Sequence, residues 1–140
     1  MSFQEDIEHL EAHLVDKYDI FISFASNNLN SCSEIDKVIT VNTRQRSESR
    51  LYTMLHEAGH FILYEEHDYQ ALFPSIIHQP FKKYFTQANV VDVIRNEVLA
   101  WEEGRKLAHQ LEIEVNSKKW NNLRKKSLYD YFIWAVGEEK

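Results

Sequence analysis

His56 and His60 stand four residues apart, with Glu57 beside the first, in the stretch TMLHEAGHFIL. On a helix, residues i and i+4 lie one turn apart and only ~40° apart round the axis, so two imidazoles at this spacing can reach one ion. Glu57 sits ~100° round from His56, too far to join as an easy ligand but well placed to hold a water beside the ion. Two neutral imidazoles suit a zinc ion (Zn2+), which lowers the pKa of water toward ~7, and a nearby carboxylate can take the proton as that water attacks a carbonyl. A shuffled chain of this composition carries the His-Glu-x-x-His pattern only about 0.04 times, so coincidence is a weak explanation. Leu51, Met54, Leu55, Ala58, Phe61 and Ile62 fall on the opposite side and give the helix a core face. Ser49, Tyr52, Thr53 and Leu63 share the histidine side, a mixed surface expected to line a cleft. Gly59 costs a helix roughly 1 kcal/mol against alanine, which points to close approach by another element.

A catalytic zinc site takes three protein ligands and keeps one position open. The variant with a third histidine six residues on is excluded, because Leu63 and Glu66 stand where a glycine and a histidine are needed. The stretch VVDVIRNEVLAWEEGRKLAHQL offers another donor. At 100° per residue, Val90, Val93, Ile94, Trp101, Gly104 and Ala108 all lie within ~60° of Glu97. Glu97 is therefore a charged residue inside an apolar stripe, and a carboxylate in that position needs a metal or a cation. The competing partner is an arginine, Arg44, Arg46 or Arg50. Glu102, Glu103 and Asp92 point away and read as solvated. Contacts to substrate or to a developing oxyanion are open to Tyr52, Tyr64, His67 and His78, among which the sequence does not choose.

The elements that must position these groups follow from periodicity. Residues 4–17 read as an amphipathic helix, 18–24 and 35–42 as two strands, and the polar stretch SNNLNSCS between them as a turn. Ser47 or Ser49 is the expected cap of a helix reaching about Tyr64. Residues 65–88, with Pro74 and Pro80, form an irregular connection; helices are expected over about 90–111 and, capped by Ser117, to about Val136. The result is one α+β domain over residues 1–140, a short antiparallel sheet packed on the histidine helix with further helices around it.

Composition narrows the function classes. A net charge of −6 disfavours a general nucleic-acid binder. One cysteine, Cys32, excludes an intramolecular disulfide and a multi-cysteine zinc cage. The acidic start lacks the pattern of a signal peptide, and no apolar run is long enough to cross a bilayer, so a cytoplasmic location and no membrane partner are expected. Trp120, Leu123, Ser127, Tyr131 and Trp134 share one face of the last helix, near a cluster of Lys118, Lys119, Arg124, Lys125 and Lys126. Core closure with a solvated basic face explains these better than nucleic-acid contact.

RQRSESRLYTMLHEAGHFIL followed by NEVLAWEEGRKLA resembles the gluzincin-like zinc metallopeptidases of the ImmA/IrrE group, including small proteins carried by phages and mobile elements. Thr53, His56, Glu57, Gly59 and His60 match the first motif and Glu97 the second, over roughly residues 36–110. The resemblance implies a zincin-like domain, zinc held by His56, His60 and Glu97, Glu57 as general base, and cleavage of a specific protein or peptide in the cytoplasm, the host's if phage-encoded. It also gives DKVITVN a role as an edge strand beside which an extended peptide lies, with ordinary sheet pairing as the alternative. Two other readings stand beside the enzyme: a catalytically silent zinc-bearing decoy or inhibitor, and a nucleic-acid module using the last helix. An intact Glu57 speaks against the first, and the lack of an evident fourth ligand against the second.

Overall fold

The histidine helix is the axis on which the rest is built. In the computed structural model, which describes residues 2–26, 29–78 and 87–137, this helix runs over Ser47–Glu66. Before it come a helix α1 (Phe3–Tyr18) and three strands, β1 (Phe21–Ala25), β2 (Ser31–Ser33) and β3 (Val38–Asn42). With the histidine helix as α2, the chain continues through α3 (Tyr69–Leu72), α4 (Pro74–His78), α5 (Gln87–Gln110) and α6 (Ser117–Gly137). The fold is α+β, as expected. The connection after α2 is not wholly irregular, since it contains the two short helices.

The sheet corrects three expectations. Its order is β1-β3-β2, and β1 pairs with β3 in parallel, Ile22 opposite Ile39 and Phe24 opposite Val41. The sheet is therefore mixed. What makes parallel pairing possible is β2, which runs back antiparallel along the other side of β3, Cys32 opposite Ile39. β2 lies inside the polar stretch read as a turn; three residues with two serines carry no strand signal, and only an edge position tolerates them. The stretch DKVITVN consequently supplies the central strand, and β2 is the edge nearest α2. Ile39 and Val41 are fully buried on the face that meets α1 and α2, with Ile7, Leu10, Leu14, Leu51, Met54, Leu55, Ala58 and Phe61.

Helix ends are set by local chemistry. Ser2 and Glu5 form a capping box on α1, and Asp19 closes that helix in the left-handed region at φ 58°. Neither Ser47 nor Ser49 caps α2; Arg46 takes that position without a side-chain bond, and Arg50 anchors the first turn by donating to the carbonyls of Thr43 and Gln45 at 2.8 and 3.2 Å. Asn116, not Ser117, caps α6 by accepting from the Lys119 amide at 3.0 Å.

The contact that positions the histidine pair against Glu97 is α2 against α5. A Cβ added at Gly59 would collide with the carbonyl oxygen of Ala100, and one added at Gly104 would come within 2.6 Å of the Leu55 carbonyl oxygen. The two helices touch backbone to backbone, each with a glycine against the other's main chain, as Gly59 foretold. Close approach at that crossing leaves Glu97, two turns before Gly104, under the histidine pair.

Candidate metal centre and the cleft around it

Glu97 is 2% exposed and meets both imidazoles. Its Oε1 lies 2.7 Å from His56 Nε2 and its Oε2 lies 3.0 Å from His60 Nε2. One donor atom from each of the three residues lies within 4.8 Å of the others. Arginine is not the partner: Arg50 is committed to main-chain carbonyls, and Glu97 takes its further hydrogen bond from Ser127 Oγ at 2.8 Å. The His56 ring is fixed by stacking on Trp101, centroids 4.1 Å apart and planes within 11°, and by an edge contact with His60 at 4.7 Å.

Two features test whether this trio suits a metal ion. His56 Nε2 is buried and, despite its short distance to Glu97, makes no aligned hydrogen bond; a buried nitrogen of that kind is costly unless its lone pair is used. The donor set of two imidazoles and one carboxylate is also that of hydrolytic zinc sites. The residues fit.

Electrostatics tie the three together. Burial would raise the Glu97 carboxyl, but the two imidazoles set against it, His56 and His60, override that and hold the group well below the usual carboxylate range. Burial likewise pulls the His56 imidazole down, yet the carboxylates of Glu57 and Glu97 outweigh it and push it up to about 9. Glu57 is itself buried, its Oε2 3.5 Å from His56 Nδ1.

The trio lies where two cavities meet. One, of about 560 Å³, runs toward α6 and is lined by Thr53, Trp101, Ser127, Asp130 and Tyr131. The other, of about 370 Å³, runs toward β2 and α5 and is lined by Cys32, Glu34, His60, Tyr69 and Asn96. Asn30, His56, Glu57, Glu97 and Tyr131 border both. On the second side burial dominates. It raises the Cys32 thiol and the Glu34 carboxyl, the latter partly offset by His60, and lifts the Tyr69 hydroxyl to about 12 with help from the Glu34 charge.

The expected substrate contacts fare differently. Tyr52 is turned away: its hydroxyl donates to Glu48 Oε2 at 2.9 Å and accepts from the Asn116 amide at 2.8 Å, bracing the start of α6. Tyr52 and Leu63 are both buried, so only part of the histidine side of α2 faces the cleft. Tyr64 packs edge-on against Tyr69, centroids 5.4 Å apart, one ring removed from the cavity. The side chain of His78 lies outside the described residues. His67 pairs with Glu103 at 3.3 Å. Asp92, read as solvated, is buried and accepts from the Ser75 amide and hydroxyl at 3.1 and 2.6 Å.

Among the described residues, Tyr131 is the tyrosine that borders both cavities. Burial, and then the charges of Glu97 and Glu57, keep its hydroxyl protonated far above the ordinary range. By sequence both Tyr131 and Ser127 fall on the face of α6 expected to close the core. The signal was present, since two hydroxyls in an otherwise aromatic and aliphatic stripe invite the question asked of Glu97. No described helix is long and apolar enough to cross a membrane. No family model, curated protein or solved structure matches this chain, so its chemistry has to be read from these side chains.

Proposed function

We propose that this chain is a zinc-dependent endopeptidase of the ImmA/IrrE type, acting on a specific protein in the cytoplasm. The observation that carries the reading is the convergence of His56, His60 and Glu97 on one point with Glu57 beside them. His56, His60 and Glu97 would hold the ion. When bound, zinc supplies a Lewis acid that polarises a peptide carbonyl and acidifies water. Glu57 takes the proton from the attacking water and returns it to the departing amine, so one carboxylate serves as base and then as acid. Tyr131, kept protonated by its surroundings, donates to the carbonyl oxygen as that atom gains charge. The free edge of β2, on the wall of the same cleft, offers main-chain groups to an extended substrate.

Metal analysis joined to a search for new protein termini tests this. The wild type should purify with one zinc. Glu57→Gln should keep the metal while cleavage falls by about 10³-fold, within the range for loss of a general base. Glu97→Ala should lose the metal. A wild type without zinc sinks the reading, and a Glu57→Gln variant that cleaves as well as its parent turns it into that of a silent zinc-bearing interaction protein.

A further inference from the structure

Trp101 walls two cavities. One holds His56; the other, of about 330 Å³ between α5 and α6, is bordered by Arg105, Lys106, Trp120 and Arg124, with Glu102 as its one carboxylate. Three polar atoms of this lining, Trp101 Nε1, Arg105 Nη1 and Arg124 Nε, are shielded from water and have no hydrogen-bond partner among the described residues. Arg105 spends another nitrogen on Ser117 Oγ at 3.0 Å. Among the described residues neither guanidinium pairs with a carboxylate, and Lys106 turns to Glu103 at 3.6 Å.

All three orphaned atoms are donors. A buried donor left unpaired costs folding free energy, more so when it is charged, and Trp101 is only 2% exposed. The missing partner is therefore an acceptor, and two guanidinium groups bordering one hollow select a group with several acceptor oxygens. Guanidinium forks match the planar edges of carboxylate and phosphate. The first turn of α6, a 21-residue helix beginning at Ser117 on the same lining, adds the positive end of its dipole. Three cations against one carboxylate also make this a positive hollow in a chain of net charge −6.

We infer that Arg105 and Arg124, with Trp101 as the wall behind them, form a binding site for a small oxyanion, a phosphate or carboxylate group. The arginine side chains present their N–H groups to the guest by rotation about their terminal bonds, while the indole, held by the stack on His56, stays as the wall. The site does not depend on the metal centre for its own binding, so its failure and that of the peptidase reading are separable.

The test is titration of the full chain, as purified, with inorganic phosphate and with succinate at constant ionic strength, followed by calorimetry and indole fluorescence. Saturable binding of phosphate alone assigns a phosphate-bearing ligand, and of succinate alone a carboxylate. Arg105→Gln and Arg124→Gln should each weaken binding by about tenfold or more. Arg124→Lys, which keeps the charge and loses the fork, should weaken it by about threefold to tenfold with the fold intact. Far-UV circular dichroism of every variant should match the wild type. The inference is overturned if neither anion binds saturably, if sodium chloride reproduces the response, or if both arginine variants bind undiminished. Retention of a DNA duplex that survives both arginine changes, with no binding of single anions, overturns it too.

Discussion

The α2–α5 crossing and α6 serve the same site in opposite ways. At the crossing, main chain rests on main chain at Gly59 and Gly104, and Leu55, Ala58, Ala100 and Trp101 around it are all buried. α6 has one buried residue, Trp120, and leaves Tyr129, Phe132, Ile133 and Val136 exposed on its outer side. It meets the site through side chains alone, Ser127 on Glu97 and Tyr131 beside both glutamates. The crossing therefore fixes where the proposed metal ligands stand, because close-packed backbone has no room to yield. α6 tunes what those ligands do, and can be changed without moving them.

The sharpest way to break this contrast is to push the crossing apart. Gly59→Ala places a methyl group against the Ala100 carbonyl, and α5 must retreat because main chain cannot rotate away as a side chain does. Overpacking of this kind costs about 1–3 kcal/mol and sometimes more, outweighing the roughly 1 kcal/mol that alanine gains over glycine in a helix. The retreat carries Glu97 away from the imidazoles, so zinc affinity should fall together with the denaturation midpoint. Gly137→Ala, at the far end of α6 with nothing within 4 Å, should leave both unchanged or raise stability slightly. Equal behaviour of the two variants, read by denaturant titration and metal content, would show that the crossing is not what holds the ligands.

The same contrast explains what the sequence made legible. His56, His60 and Glu97 were readable because helical periodicity orients each residue from its own neighbours, and because a charge within an apolar stripe demands a partner. Gly59 was readable for a related reason: a costly residue in mid-helix implies a close neighbour. What escaped depends on contacts between distant segments. β2 is a strand only because β3 lies beside it, and its serines gave no sign of that. Asp92 looked solvated by helical angle, yet Ser75 of the preceding connection covers it. Tyr52 shares the histidine side of α2, but the amide of Asn116 claims its hydroxyl from 64 residues away. That bond also sets where α6 begins, and hence which hydroxyl of its stripe arrives at Glu97. No local pattern contains that information.

Tyr131→Phe asks whether α6 contributes chemistry or only a wall. The ring and its packing stay, the hydroxyl goes, and the ligands are untouched. Turnover should fall about 10²-fold, as for removal of one donor to a developing oxyanion, with zinc content and the substrate concentration for half-maximal rate little altered. Tyr64→Phe, one ring further out, should leave turnover unchanged, and Tyr52→Phe should lower stability by about 1 kcal/mol through loss of its bonds to Asn116 and Glu48. If Tyr131→Phe loses zinc along with rate, α6 belongs with the crossing as part of the ligand scaffold.

The smallest effect is expected at Ser127, whose hydroxyl donates to Glu97 Oε1, the oxygen facing His56, while Oε2 faces His60. A hydrogen bond behind a ligand aims the carboxylate and withdraws some of its charge, so the ligand is better placed but a slightly weaker donor. Aim is the larger contribution, because this hydroxyl sits 2.8 Å from the very oxygen that faces His56. Ser127→Ala should therefore weaken zinc binding by about tenfold, the low end for loss of a group behind a metal ligand. At saturating zinc, turnover should return to within about threefold of the parent, because neither Glu57 nor Tyr131 has been moved. Ser127→Thr keeps the hydroxyl and should restore the affinity wherever the added methyl is accommodated. An alanine variant with unchanged affinity would mean that the crossing alone orients Glu97, which makes the division between the two regions sharper still.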